Sequence, residues 1–232
     1  MMVSFFRRLL DLISPRLCVV CGRRLSITEE VLCASCNLHL PRTSYQNAPY
    51  DNEMAKLFWG QIPVERATAL YFYQPHAETA RLIYALKYQD HPEIGYQMGR
   101  MTATELLPSG FFVGIDAVVP VPLAPSRLRQ RGYNQSMEIV RGISEVTGLP
   151  VLDKAVIRTH FKGSQTQRGR WERNDNVEHV FILADASAVR GSHLLIVDDV
   201  VTTGATVIAC AKELCKAGDV KVSVLALGFT KM

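Results

Sequence analysis

Several things are missing from this sequence, and each absence narrows what the chain can be. None of its apolar runs approaches the ~20 residues that span a bilayer, so no membrane insertion is expected. There is no Gly-Lys dipeptide, hence no GxxxxGK[ST] loop, and an apolar strand ending in Asp cannot be the partner of a P-loop. No internal repeat or low-complexity tract is present, which sets aside solenoids and disordered arrays. Neither sign of charge dominates: the net charge of +4 permits an anionic partner without requiring one. The opening MMVSFFRRLLDLIS has no small-residue cleavage site, and Arg7, Arg8 and Asp11 interrupt its apolar run. Phe6, Leu9, Leu10 and Ile13 recur at helical spacing, so a short amphipathic helix is expected there, on a cytoplasmic protein.

What is present falls into three regions. Residues 1–45 hold the amphipathic segment and four of the 6 cysteines. Residues 46–66 continue a stretch rich in Pro, Asn and Ser with little periodicity, and read as a linker. From residue 67 to 232 apolar runs alternate with helical patterns, which predicts βαβ units around a largely parallel sheet flanked by helices. The expected strands are 67–73, 116–121, 177–183, 193–199 and 220–228; the expected helices are 78–88, 96–107, 134–148 and 205–218. In the last helix Val207, Cys210, Ala211, Leu214 and Cys215 share one face, so both of its cysteines are expected in the core, with Gly218 ending the helix.

Cys18, Cys21, Cys33 and Cys36 form CxxC–x11–CxxC, two pairs whose spacing lets each clasp one side of a tetrahedral Zn²⁺. Gly22 suits the turn of such a knuckle. A disulfide framework fits a cytosolic chain poorly, and a redox CxxC leaves the second pair unexplained. His39 is an alternative ligand, although four thiolates suffice. The site is expected to be structural, with Arg16, Arg23 and Arg24 nearby as a weak hint of nucleic acid.

The run IVDDVVTTGAT sets Asp198 and Asp199 at the end of an apolar strand, where ligands of open α/β sheets bind. Thr202, Thr203, Gly204, Ala205 and Thr206 then make a small, hydroxyl-rich turn into a helix. Free N–H groups at a helix start, beside threonine hydroxyls, suit a phosphate monoester, and Gly204 lets the backbone approach it. Carboxylates are better spent accepting bonds from sugar hydroxyls or holding Mg²⁺. The loop therefore reads as a holder for a sugar phosphate.

That run resembles the 5-phosphoribosyl 1-pyrophosphate (PRPP) signature of type I phosphoribosyltransferases. Together with VPVPLAPSRLRQRGYNQS (119–136), SQTQRGRWERNDNVEHVF (164–181) and the cysteine ribbon, it resembles the ComF/GntX branch, linked to DNA uptake and use. The resemblance implies an α/β type I phosphoribosyltransferase-like fold preceded by a zinc ribbon. Asp198 and Asp199 would meet the ribose hydroxyls, and Thr202–Thr206 would wrap the 5-phosphate. Arg127, Arg129 and Arg131 would serve the pyrophosphate, with Lys87 as a further candidate. Lys87 also complements the dipole at the end of its helix, which explains it equally well. The polar segment 158–173, with Lys162, Arg168, Arg170 and Arg173, would close over PRPP, Arg170 joining the two acids as a catalytic group. Nucleic acid is a competing use of those charges, with Trp171 stacking on a base. Some relatives carry a second pair of knuckles; here QNAPYDN stands there instead, without cysteine.

Two functions fit these residues. One is an enzyme that moves ribosyl 5-phosphate from Mg²⁺–PRPP to a nitrogen base. The other is a non-catalytic module sensing PRPP or a nucleotide, with single-stranded DNA or DNA-processing proteins as partners.

Overall fold

The strands that build the sheet are the chain's most continuous apolar runs. In the computed structural model, which describes residues 15–159 and 180–231, β5 (His193–Val201) and β6 (Lys221–Phe229) are buried almost throughout. β1 (Val64–Phe72) and β2 (Ala117–Pro120) flank them, giving the order β1-β6-β5-β2 with every neighbouring pair parallel. Strands covered on both faces need side chains that are apolar on both, which is what a parallel sheet demands.

Alternation divides the core in two. Leu195, Val197, Leu225 and Leu227 face one layer with α3 (Glu78–Tyr88), α4 (Pro92–Leu106) and α6 (Gln135–Thr147). Leu194, Ile196, Val222 and Val224 face the other, with α2 (Glu53–Lys56) and α7 (Ala205–Cys215). The ribbon and its short helix α1 (Ala34–His39) belong to the first layer: Val20, Leu32 and Leu40 share a core with Leu82 and Met98. α4 and α6 cross closely enough that a Cβ on Gly142 would lie 2.0 Å from the Tyr96 carbonyl oxygen, so only glycine fits.

Several boundaries differ from expectation for identifiable reasons. Within 46–66, α2 and the start of β1 stand where a linker was expected. Asn52, which reads as a loop residue, caps α2 by accepting from the Ala55 N–H at 2.9 Å and is buried while donating to the Ala67 carbonyl. α4 starts at Pro92, four residues before expected, because proline is well tolerated in a first turn. Of the strand expected over 177–183, Phe181–Leu183 forms β4; it pairs antiparallel with β3 (Val156–Arg158), outside the main sheet, and 177–179 lie outside the described residues. α7 stops at Cys215, with Gly218 three residues beyond at φ 89. Cys210 is fully buried and Cys215 packs against the same core, as expected. The amphipathic pattern of 1–14 lies outside the described residues, among which no helix is long and apolar enough to cross a membrane.

Candidate functional site

Two groups of ionisable side chains stand out, and the first is the cysteine cluster. The Sγ atoms of Cys18, Cys21, Cys33 and Cys36 all lie within 4.8 Å of one another. Cys21 Sγ and Cys33 Sγ are 3.7 Å apart, close to the ~3.8 Å edge of a tetrahedron built on Zn–S bonds of about 2.3 Å. Gly22 takes φ 71 and donates to the Cys18 carbonyl, closing the first knuckle. Cys18 Sγ accepts the Cys33 N–H and Cys33 Sγ accepts the Cys36 N–H, both at 3.4 Å. Burial pushes the Cys18 thiol up, but N–H donors of Cys33, Cys21 and Val20 outweigh it and bring it down to about 7. Burial and the surrounding thiols push Cys36 up instead. The four sulfurs fit a zinc ion, which would hold them as thiolates and tie the ribbon together. His39 is not in the cluster; its Nδ1 lies 2.7 Å from the Ser35 carbonyl oxygen. Arg16 is engaged with the Glu29 carbonyl and the Glu30 carboxylate.

The second group sits at the carboxyl end of β5. Asp199 Oδ2 pairs with Lys87 Nζ at 3.1 Å, and both side chains are largely buried. Asp198 Oδ1 accepts from Ser136 Oγ at 3.1 Å and from the Asp199 N–H at 2.8 Å. Its carboxyl is pushed up to about 7, first by burial and then by the negative charge of Asp199, against hydrogen bonds from Asp199 and Ser136 and the charge of Lys87. Beyond the acids, Thr202 and Thr203 are exposed, Gly204 is buried in the left-handed region at φ 77, and α7 begins at Ala205. No side chain caps that helix start, so its first N–H groups are open to a ligand. A Cβ on Gly204 would sit 3.0 Å from the Phe58 ring, a second reason for glycine there.

Local chemistry in GYNQS brings these parts together. Tyr133 donates to the Leu86 carbonyl at 2.6 Å, holding the segment against the end of α3 beside Lys87. Asn134 caps α6 by accepting from the Ser136 N–H and also donates to the Val121 carbonyl at the end of β2. Ser136 is thereby set in the first turn of α6, facing Asp198. Sequence reasoning missed it, and its place in the first turn after a capping Asn was the available signal.

The basic stretch differs from expectation. Arg127, Arg129 and Arg131 lie on a short helix, α5 (Pro125–Arg131), rather than on a loop: Pro125 starts it and Gly132, at φ 77, ends it. Arg127 and Arg129 are exposed. Arg131 donates to Gln135 at 2.8 Å and lies 5.3 Å from the centre of the Tyr88 ring. Arg158, at the end of β3, packs its guanidinium over Phe181, and burial together with the charge of Arg127 lowers its pKa. Arg170, Lys162, Arg168, Trp171 and Arg173 lie outside the described residues.

No family model matches the chain. It is 32% identical over 214 residues to the DNA utilization protein YhgH of Escherichia coli K12, covering 91% of this chain and 89% of that one. The chain belongs to the ComF/GntX family. A second relative, competence protein F of Haemophilus influenzae, is 35% identical over 115 residues, covering 48% of this ComF/GntX chain and 49% of that protein. Among solved structures, the glutamine phosphoribosylpyrophosphate amidotransferase of B. subtilis is similar at a TM-score of 0.41 and 22% identity, over 61% of this chain and 30% of that one.

Proposed function

We propose that this ComF/GntX chain binds PRPP at the carboxyl end of β5 and transfers its ribosyl 5-phosphate to a nitrogen base, releasing pyrophosphate. The observation that carries this reading is the succession at the end of β5: two carboxylates, a left-handed glycine turn and an uncapped helix start. N–H groups of the 204–206 turn, with the hydroxyls of Thr202, Thr203 and Thr206, suit the 5-phosphate. Asp198 and Asp199 suit the ribose hydroxyls, which donate to carboxylates in strong charge-assisted bonds.

The donor set also fits Mg²⁺. Carboxylate oxygens are among its preferred ligands; burial and then the charge of Asp199 raise Asp198, and a divalent cation would relieve the second of these. Held by Asp198 and Asp199 with PRPP, Mg²⁺ would supply charge neutralisation for the leaving pyrophosphate. In the transfer the bond from ribose C1 to the pyrophosphate oxygen breaks, its electron pair leaving with pyrophosphate. The acceptor nitrogen then bonds C1 and gives up its proton. Positive charge grows on the ribose ring near Asp198 and Asp199, and negative charge grows on the leaving group, for which Arg127, Arg129 and Arg131 are the candidate donors. Arg170 is assigned to the closing segment, where exclusion of water would protect the cationic sugar.

Calorimetry with PRPP and Mg²⁺, followed by a screen of bases for pyrophosphate release, tests the proposal. D198N/D199N should weaken PRPP by about a hundredfold or more, each strong contact being worth roughly 1.5–3 kcal/mol, or about ten- to a hundredfold. Inorganic phosphate, which needs only the turn, should bind the variant at least as well as the wild type. A folded variant with unchanged PRPP affinity would remove the acids from the site. PRPP binding without pyrophosphate release from any base would assign the chain to sensing rather than catalysis.

A further inference from the structure

Val20 stands in the first knuckle, between Cys18 and Cys21, and is bonded in two directions. Its N–H points at the Cys18 sulfur, and its carbonyl accepts from Arg81 Nη1 at 3.0 Å. Arg81 belongs to α3, and Lys87 follows on the same helix about 9 Å further along its axis, at 1.5 Å per residue. Val20 shares its core with Leu82 and Leu86, and Val19 packs against that core. The knuckle therefore holds the first half of α3 by packing and by one charge-assisted bond. The N-cap residue Ala77 supplies no side-chain bond of its own. The far end is pinned by Tyr133, which donates to the Leu86 carbonyl, and by Lys87 with Asp199. A helix bonded internally moves as a rod, so a displacement at Arg81 is felt at Lys87. The Lys87–Asp199 contact of 3.1 Å tolerates little of it, because hydrogen-bond geometry is lost about half an ångström further out.

We propose that the knuckle positions α3 through Arg81, so that a zinc ion held by the four sulfurs favours the Lys87–Asp199 pair and its loss loosens the acid pair at the end of β5. Four sulfurs tied to one ion leave the Cys18–Cys21 backbone a single conformation and the Val20 carbonyl a single direction. Without the ion the knuckle is free to open, and the carbonyl turns away from Arg81. Arg81 is a positioning residue, acting on the acids through Lys87. The ribbon and the acid pair are then two distinct sites joined by one helix, with the metal-bound and metal-free knuckle as its two states. The link acts on the acid pair whatever ligand that pair holds, and its test needs no sugar phosphate, so it stands or falls apart from the PRPP reading.

The test is the rate at which Lys87 is acetylated by sulfosuccinimidyl acetate, read by mass spectrometry on the full chain. In zinc-loaded wild type, Lys87 should react more slowly than Lys221, their side chains being 22% and 65% exposed. Chelation under reducing conditions, well below the melting temperature, should speed Lys87 by about fivefold, the worth of one hydrogen bond, and leave Lys221 unchanged. R81M, which keeps the apolar stem and loses the donors, should do the same with zinc still bound, and R81K, which keeps a donor, should restore protection. Arg81 is exposed, so melting curves should show both variants folded. Coupling is reciprocal, so K87M should bind zinc about fivefold less tightly in competition with a chromogenic chelator, although Lys87 is no ligand. Wild-type Lys87 protection in folded R81M, or in zinc-free protein that remains folded, would overturn the proposal, as would wild-type zinc affinity in K87M.

Discussion

The cysteine ribbon and the carboxyl end of β5 each crowd together groups that repel one another once ionised, but they relieve that repulsion by different means. In the ribbon the relief is local: backbone N–H groups of the knuckles themselves point at Cys18 and Cys33, and the cation that completes the site would come from outside. At the end of β5 it is distant: Lys87 arrives from α3 and Ser136 from α6, 62 residues before Asp198. Even so Asp198 is left pushed up to about 7, so the relief is incomplete. A site assembled from neighbours in the chain can be nearly complete without tertiary structure, whereas one assembled across elements depends on the whole sheet being in register.

Removing metal should give the largest effect. Cys33 and Cys36 are buried, and the ribbon shares its core with α3 and α4, so loss of the tetrathiolate site opens that layer as well. Exhaustive chelation under reducing conditions, or C33S/C36S, should cost about 3 kcal/mol or more, lowering Tm by roughly 6–12 °C in a chain of this size. Metal analysis and melting curves check this. A zinc-free protein that melts like the starting material would mean the four sulfurs are ordinary packing.

A middle-sized effect should follow from K87M, which removes the ion-pair partner of Asp199 while leaving an apolar stem of similar length. Taking one partner from a mostly buried pair strands the other charge, here beside a second carboxylate. The pair keeps some contact with water, so we expect about 1–2 kcal/mol, or roughly 2–8 °C, at neutral pH. The loss should shrink as the pH falls and the carboxyls protonate. A loss independent of pH would mark Lys87 as a packing residue rather than a counterion.

The same contrast explains what could be read in the chain beforehand. The ribbon was legible because CxxC spacing is itself the local geometry, down to the left-handed turn at Gly22. α3 was legible in full, Glu78–Tyr88, because an amphipathic period sustained over three turns is a strong signal. The Lys87–Asp199 pair was not, because a lysine in a last helical turn is explained equally well by the helix dipole. α5 escaped notice because seven residues are too few for periodicity to speak; only Pro125 and Gly132 announced it. β3 and β4, of three residues each, are shorter still. The acid pair was legible as a pair, but its raised carboxyl arises from burial that only the assembled layers create.

The smallest effect is also the most specific, and it comes from D198N. Folding raises the Asp198 carboxyl from its ordinary value of 3.8 to about 7. Across that window the folded protein holds a proton on Asp198 that the unfolded chain has released, so this group's favourable contribution is complete below about pH 4 and is lost as the pH rises through about 7. Asparagine keeps the acceptor for Ser136 and cannot ionise. Without ligand, D198N should therefore match the wild type near pH 4 and exceed it above pH 7.5 by about 1 kcal/mol, or roughly 2–4 °C, once relaxation and solvent around a half-buried residue are allowed for. Ligand binding should show the opposite preference. Ribose hydroxyls need the carboxylate, so wild-type affinity for PRPP should rise as the pH passes through about 7, more steeply than that of D198N, in which this ionisation is gone. PRPP's own phosphate titration is common to both proteins and cancels in the comparison. Parallel pH profiles for the two proteins, in melting and in binding alike, would show that Asp198 is already ionised in the folded state and that the end of β5 is as fully neutralised as the ribbon.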